Sequence, residues 1–275
     1  MTNFVFFGTD EFAVKVLEQL KADNLLPTLI ITTPDSKKGR HLALTPSPIK
    51  VWAQKYRVPS TEYRANLELG TRNWELFLVA SYGKIIPKNI LDLPKHGTLN
   101  IHPSLLPKYR GATPLQSAIL NGDPETGVSI MLLDEELDHG PILATDHLKL
   151  ATDNFNYSQL RDKSAKMGAK LLVKILPDYL TGKIKPREQN HSVATYTQKI
   201  TKDLSRLDLS ADPIINDRKI RALNPNPGTY FVDDNGKRIK VISAHLTSVQ
   251  LIFDRVIPEG KKEMTWESYL KGQTK

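Results

Sequence analysis

The stretch TLNIHPSLLPKYRGATPLQSAILNGDPETGVSIMLLDEELDHGPIL, residues 98–143, decides the fold. It opens on alternating apolar and polar residues, a pattern typical of a strand, and Pro103 ends that strand directly after His102. Because side chains two residues apart on a strand point to the same face, Asn100 and His102 project together. Ligands of α/β proteins usually bind at the carboxyl ends of strands, so both side chains stand where a site is expected.

A second apolar run, residues 127–133, is also typical of a strand, and it closes in the acidic turn 134–140. If the two strands are neighbours, Asp138 in that turn can reach His102. A carboxylate, an imidazole and a carboxamide would then meet, and such a group can stabilise an oxyanion and move a proton. On spacing alone, however, an Asn-x-His strand is more often a hydrogen-bonded core pair, and an Asp-x-Gly is more often a plain turn.

The beginning of the chain predicts an α/β fold with a Rossmann-like, mostly parallel sheet. Residues 3–7 are typical of a buried strand, 12–20 of an amphipathic helix and 29–33 of a second strand. This βαβ order implies a parallel sheet. The single Gly8 between the first strand and the helix is not a dinucleotide fingerprint, so no bound dinucleotide is expected.

Three consecutive segments are predicted along the chain. Residues 1–182 form the α/β domain, whose last element is a long amphipathic helix ended by Gly182. Residues 183–198 are polar and are interpreted as a linker, and residues 199–275 form a smaller second domain.

The composition limits the class of protein. The chain has 275 residues, a formal net charge of +8 and no cysteine, so disulfides and cysteine metal sites are excluded. No residue cluster has the spacing of metal ligands, and no metal is expected. With no signal peptide or bilayer-spanning run recognised, we expect a cytoplasmic protein without a membrane partner. The basic charge favours a polyanionic partner.

Five groups of residues carry a family resemblance: Ser104-Leu105-Leu106-Pro107, Arg110-Gly111, Pro114, Gly127-Val128 and Asp138-x-Gly140. Residues of these types at these spacings resemble the formyltransferases that use 10-formyltetrahydrofolate. The resemblance implies a formyltransferase fold and an enzyme that moves a formyl group from that folate to a primary amine. It implies Asn100, His102 and Asp138 as the catalytic residues. It also implies that the folate contacts come from Ser104, Leu105, Leu106, Pro107, Tyr82 and Gly83.

Two further segments resemble the members of this family that formylate initiator methionyl-tRNA. Residues 45–50, Thr-Pro-Ser-Pro-Ile-Lys, span the end of a basic loop at 34–48, and in those members such a loop reaches the acceptor arm. Residues 224–227, Asn-Pro-Asn-Pro, match the entry to a small OB-type barrel. Residues 228–275 supply only three or four strands where such a barrel has about five, so we expect a shortened OB-like barrel.

The resemblance therefore implies initiator methionyl-tRNA as the acceptor and partner, with the chain acting as a monomer. Cations on a mobile loop and at a domain joint suit phosphate contacts, which give affinity without reading sequence. The residues that would make them are Lys37, Lys38, Arg40, Lys199 and Lys202.

Other functions compete with this one. A sugar-nucleotide N-formyltransferase shares the core and often a trimmed second domain, but it would need a nucleotide pocket instead of a tRNA surface. A stand-alone glycinamide ribonucleotide transformylase fits less well because it lacks a C-terminal part. A nucleic-acid-binding module with an inactive enzyme core is disfavoured by the retention of Asn100, His102 and Asp138 together.

Overall fold

The computed structural model describes residues 2–38, 42–62, 69, 73–150, 154–248 and 250–272. The chain divides into two compact units that are interleaved along the sequence. The first unit comprises Met1–Ala112, Gly127–Leu148 and Arg161–Tyr196, and the second comprises Thr113–Thr126, Lys149–Leu160 and Thr197–Lys275. These units differ from the three consecutive segments expected from the sequence, because contacts between distant residues and not chain order decide which residues pack together.

The strands of the described residues are β1 Phe4–Gly8, β2 Leu29–Thr32, β3 Ser36–Lys38, β4 Ala43–Thr45, β5 Ser60–Glu62, β6 Leu76–Ala80, β7 Thr98–His102, β8 Glu125–Leu132, β9 Ile142–Lys149, β10 Thr229–Val232, β11 Arg238–Leu246, β12 Leu251–Pro258 and β13 Met264–Thr265. The α-helices are α1 Glu11–Ala22, α2 Pro48–Tyr56, α3 Lys88–Leu91, α4 Pro114–Asn121, α5 Tyr157–Leu180, α6 Pro213–Leu223 and α7 Trp266–Lys271. Within the described part of the chain, no helix is both long and apolar enough to cross a bilayer.

The main sheet has seven strands in the order β5-β2-β1-β6-β7-β8-β9. Strands β5, β2, β1, β6 and β7 pair in parallel, and β8 pairs antiparallel to β7. The predicted α/β fold with a mostly parallel sheet is confirmed. Strands β1 and β6 are buried along their whole length, as expected for parallel strands covered on both faces.

The register of the parallel strands decides where a site can form. Phe7 of β1 pairs with Val79 of β6, and Val79 pairs with Asn100 of β7. The carboxyl ends of these three strands therefore meet at one edge of the sheet. The last residue of β7 is His102, and Pro103 follows it, as the sequence predicts.

The second unit contains a small antiparallel sheet in the order β10-β11-β12-β13. It supplies four strands, within the three or four expected, and for the described residues no pairing closes β10 onto β13. The Asn224 side chain explains the Asn-Pro-Asn-Pro turn, because its amide donates to the carbonyls of Val241 and Ile242, each at 3.0 Å. Its oxygen accepts from the Thr229 amide at 3.1 Å, so the turn is tied to both β10 and β11.

The basic segment 34–48 was expected to be a loop, but it contains a two-stranded hairpin of β3 and β4. Lys37 pairs with Leu44 across this hairpin, and Leu44 is largely exposed. Since the hairpin buries little apolar surface, its strands carry no hydrophobic alternation from which they could have been predicted.

Candidate active site

Asn100, His102 and Asp138 come together inside the first unit. The Nδ1 atom of His102 lies 3.6 Å from Oδ1 of Asp138, and the Asn100 amide donates to the same oxygen at 3.4 Å. The three residues are 8%, 4% and 8% exposed, respectively. The proximity predicted from two neighbouring strands is therefore present, with a long hydrogen bond from Asn100 and with His102 just beyond hydrogen-bonding distance of Asp138.

The His102 ring is oriented by the backbone. Its Nε2 atom lies 3.0 Å from the carbonyl oxygen of Tyr109. A carbonyl can only accept a hydrogen bond, so Nε2 carries a hydrogen and donates it. Nδ1 is then the nitrogen that faces Asp138 and remains available to take up or give a proton.

The second carboxylate oxygen of Asp138 is bound by Gly111. The Gly111 amide donates to Oδ2 at 2.7 Å. Gly111 has a φ of +112°, a conformation that residues with a Cβ strongly disfavour. This glycine lets the backbone present its N–H to the carboxylate, and Oδ1 is left to face Asn100 and His102.

The acidic turn reaches the site by running back along β7. The antiparallel register places Leu132 opposite Leu99, near the beginning of β7, whereas Asp138 lies beside His102 at its end. Asp138 takes up a left-handed backbone conformation with φ +47°. Gly140 fits because a Cβ there would lie 2.1 Å from the carbonyl oxygen of Leu132. The pairing of β7 with β8 is therefore not sufficient to bring Asp138 to His102, and the course of the turn after β8 is also required.

The segment 183–198, expected to be a linker, is largely part of the first unit, which extends to Tyr196. Arg187 exchanges two backbone hydrogen bonds with Ile142, both of 2.8 Å. The carbonyl of Thr195 accepts from the Arg110 amide at 2.8 Å. These hydrogen bonds to the loops around the site explain why the segment 183–198 is polar.

A buried polar cluster around Arg110 was missed in the sequence. Arg110 is 2% exposed, and its guanidinium donates to Oε1 of Gln189 at 3.2 and 2.7 Å. It also lies 2.8 Å from Nδ1 of His191 and donates to the Tyr196 hydroxyl at 3.4 Å. The partners lie 79 to 86 residues away along the chain, and no local pattern connects them.

Two histidines, His139 and His191, adjoin this cluster. The rings of His139 and His191 stack with centroids 4.0 Å apart. His139 Nδ1 lies 2.7 Å from a carboxylate oxygen of Asp134. The stack therefore links the acidic turn to the segment that carries Gln189.

The residues predicted to bind folate form two turns. Ser104 is fully buried and its hydroxyl donates to the carbonyl of Lys108 at 2.6 Å. Ser129 of β8 donates to the Ser104 carbonyl at 2.8 Å and accepts from the Leu106 amide at 3.1 Å, which fixes the first turn. Leu106 is 7% exposed, whereas Leu105 and Pro107 are partly exposed.

The second turn follows β6. Tyr82 is 3% exposed, and its carbonyl accepts from the Thr9 hydroxyl at 2.7 Å. Gly83 is exposed. Because Val79 pairs with Asn100, residues 82–83 come just beyond the level of His102, at the same sheet edge as residues 104–107.

Three of the five predicted tRNA cations are exposed, one in the first unit and two in the second. Lys37 is exposed on β3, and Lys199 and Lys202 are exposed in the second unit. The side chain of Lys38 and all of Arg40 lie outside the described residues.

The base of the β3–β4 hairpin is held by Lys50. Its ammonium donates to Asp35 and to Glu62, each at 2.8 Å. Hydrogen bonds to these two carboxylates raise the pKa of Lys50 above its ordinary value. The Thr-Pro-Ser-Pro-Ile-Lys motif thus ends in the residue that anchors the hairpin.

The arrangement suits acyl chemistry at an oxyanion. Asn100 offers an N–H donor and His102 offers Nδ1, and both face a carboxylate that can stabilise positive charge on the imidazole. In the described residues, no group of three or more His, Cys, Asp or Glu side chains is arranged to hold a metal ion.

Comparison with known families decides which chemistry this is. The model of the formyl transferase family matches residues 2–176, which is more than half of the chain, and the model of the formyl transferase C-terminal domain matches residues 199–250. The chain belongs to the formyltransferase family. The trio, the folate turns and the acidic turn all lie within the first match, and Lys199 and Lys202 lie within the second.

Individual formyltransferases refine the comparison. A methionyl-tRNA formyltransferase of Chloroflexus aurantiacus is 40% identical over 250 residues, covering 89% of this chain and 80% of the relative. Another, of Rickettsia bellii, is 36% identical and covers 98% of this chain and 96% of the relative. The solved sugar N-formyltransferase of a Shewanella species has a TM-score of 0.65 at 19% identity, covering 90% of this chain and 100% of that one. This last likeness shows a shared fold alone.

Proposed function

We propose that the protein transfers the formyl group of 10-formyltetrahydrofolate to the α-amino group of initiator methionyl-tRNA. The observation that carries the proposal is the identity of 36% to a methionyl-tRNA formyltransferase over 96% of that relative's length. A sugar-nucleotide amine is the second candidate acceptor. Its support is weaker, because the sugar N-formyltransferase resembles this chain in fold at 19% identity.

In the proposed reaction, the amine nitrogen attacks the formyl carbon of the folate, and the carbonyl oxygen becomes an alkoxide. The bond from carbon to the folate nitrogen then breaks, and the proton lost by the attacking nitrogen ends on the folate nitrogen. The site has to stabilise the alkoxide and carry that proton. No metal is assigned a role.

We assign these tasks to the three convergent side chains. Asn100 donates its amide N–H to the alkoxide, and protonated His102 donates from Nδ1, since Nε2–H is engaged by the Tyr109 carbonyl. Asp138 stabilises the imidazolium through Oδ1 and passes the proton on, directly or through water. The folate itself would be held by Ser104, Leu105, Leu106, Pro107, Tyr82 and Gly83.

The tRNA is proposed to contact both units through its phosphates. Lys37 and Lys38 of β3, together with Arg40, would meet the acceptor arm, and Lys199 and Lys202 would meet another part of the tRNA. The net charge of +8 supports such a polyanionic partner. Because this acceptor is a substrate of protein synthesis, we propose the cytoplasm as the location of the enzyme.

One competition assay tests the function. The protein is incubated with 10-formyltetrahydrofolate and either methionyl initiator tRNA, the same tRNA without methionine, or an amino-sugar nucleotide. We expect formylmethionine, measured after mild hydrolysis, in the first reaction only. Formylation of the amino-sugar nucleotide with none on methionyl-tRNA would overturn the assignment in favour of the second candidate.

We also propose that the active form is a monomer, because every residue of the candidate site comes from a single chain. Size-exclusion chromatography with light scattering, applied to the fractions that formylate methionyl-tRNA, tests this. Activity that elutes only with a mass of about twice 31.0 kDa would contradict it.

A further inference from the structure

We propose that Gln189 is a positioning residue for the reaction, holding the turn that aims the Asp138 carboxylate at His102 and Asn100. This inference rests on the proposed formyl transfer and assigns a task to the segment whose composition suggested a mere linker. Gln189 lies 51 residues beyond Asp138 in the chain and is 6% exposed.

Gln189 binds two carbonyls of the acidic turn, that of its left-handed residue and that of the residue two positions later. The side-chain Nε2 donates to the carbonyl of Asp138 at 2.9 Å and to the carbonyl of Gly140 at 2.7 Å. Asp138 has a φ of +47°, a left-handed conformation that is uncommon for non-glycine residues. Both N–H groups of the Gln189 side-chain amide therefore bind the turn in which Asp138 has to keep its left-handed conformation.

The other end of the same amide fixes its orientation. Oε1 accepts two hydrogen bonds from Arg110, at 3.2 and 2.7 Å. Arginine can only donate and backbone carbonyls can only accept, so the amide cannot be reversed. The position demands an acceptor at one end and two donors at the other, which of the common side chains of this length only glutamine offers.

Small shifts of the turn would matter for the chemistry. The Asp138 oxygen already lies 3.4 Å from the Asn100 amide and 3.6 Å from His102, at the limit of direct contact. A displacement of about 1 Å in a reacting group can lower a rate on the order of a hundredfold. Loosening the turn should lower kcat while leaving the surfaces that bind both substrates in place.

Two variants separate this role from a structural one. Gln189→Glu keeps the acceptors for Arg110 but sets a carboxylate oxygen against the two carbonyls, whereas Gln189→Met keeps the length and loses both functions. We expect kcat to fall about tenfold to hundredfold in both, with KM for folate and for tRNA within about threefold of the original value. The melting temperature should fall further in Gln189→Met than in Gln189→Glu, because only in Gln189→Met does buried Arg110 lose its acceptor.

A matched control and a double-mutant cycle complete the test. Gln54→Glu makes the same chemical change at an exposed position of α2 and should leave kcat within twofold. If Gln189 acts through Asp138, adding Gln189→Glu to Asp138→Asn should lower kcat by less than about twofold further. A purely structural residue would lower it by the full factor again.

The outcomes are distinguishable from failure of the proposed function. If the unmodified protein formylates neither methionyl-tRNA nor an amino sugar, the proposed function fails before any variant is compared. With an active parent, a folded Gln189→Glu variant that keeps kcat within twofold, or an additive cycle, overturns the positioning role. Loss of folding in both Gln189 variants would also overturn it, since the residue would then serve stability alone.

Discussion

The acidic turn at 134–140 and the basic hairpin at 36–45 belong to the same unit and are held in opposite ways. Asp138 is 8% exposed, its carboxylate is bound by the Gly111 amide, and its carbonyl is bound by Gln189. The hairpin is exposed at Lys37 and Leu44, and the side-chain bonds that hold it lie at its base, where Lys50 binds Asp35.

The acidic turn contributes through the exact position of a carboxylate, whereas the hairpin contributes through its positive charge. A buried carboxylate must be placed accurately, because its interaction with an imidazole changes over tenths of an ångström in a region of low dielectric constant. An exposed cation acts on phosphates over about 8–10 Å through salt-screened forces. Changes near the turn should therefore alter kcat, and changes in the hairpin should alter KM and its salt dependence.

The largest effect should come from the trio itself. We expect each of Asn100→Ala, His102→Ala and Asp138→Ala to lower kcat by at least a hundredfold, because removal of one oxyanion donor or its partner costs about 3 kcal/mol. Single-turnover formylation of methionyl-tRNA measures this. His147→Ala, at an exposed position of β9, is the control and should stay within twofold; a trio variant that does the same has no catalytic role.

A smaller effect is expected at Gly111. Gly111→Ala adds a Cβ at φ +112°, which should lower the free energy of unfolding by about 1–3 kcal/mol and reduce kcat about tenfold as the amide turns away from Asp138. Urea unfolding and steady-state kinetics test both. Gly182→Ala, at φ +75° with open space around it, should lower stability by about 1 kcal/mol without changing kcat. Equal kcat values for Gly111→Ala and Gly182→Ala would show that the Gly111 amide does not position Asp138.

Removal of a positive charge from the hairpin should change the KM for methionyl-tRNA. Lys37→Ala should raise KM for methionyl-tRNA a few-fold, leave kcat and the KM for folate unchanged, and reduce the slope of log affinity against log salt by about one. Filter binding of the tRNA between low and moderate salt measures the slope. A drop in kcat at saturating tRNA would place Lys37 outside the proposed role.

The smallest effect is expected at the base of the hairpin. Lys50→Met removes the cation that Asp35 and Glu62 share, so the hairpin should be held less firmly and KM for tRNA should rise about twofold. Lys15→Met, which removes an exposed ion pair with Asp162, is the control. Identical KM values for the two variants would show that this anchoring does not affect tRNA binding.

The sequence predicted the fold class and the trio because both depend on local signals. Alternation placed Asn100 and His102 on one face of a strand, and Pro103 fixed where that strand ends. The apolar run 127–133 and its acidic turn suggested Asp138 as their partner, and the family resemblance implied the same residue. Gln189 gave no such signal, because it is polar, stands in an irregular segment and finds its partners 49 to 79 residues away. Arg110 took part in the resemblance, but nothing local linked it to partners 79 to 86 residues away.

By itself, the sequence determined which elements form and which chemical groups the sheet edge carries, since periodicity and proline positions act over a few residues. Tertiary structure alone decided that the acidic turn runs back along β7 and that Arg187, Gln189 and Thr195 form hydrogen bonds to the loops around the site. It also decided that the side-chain amide of Gln189 binds the carbonyl of Asp138, whose backbone is in the left-handed conformation. Hydrogen bonds between distant segments form only once the chain is folded, and they leave no local pattern from which they can be derived.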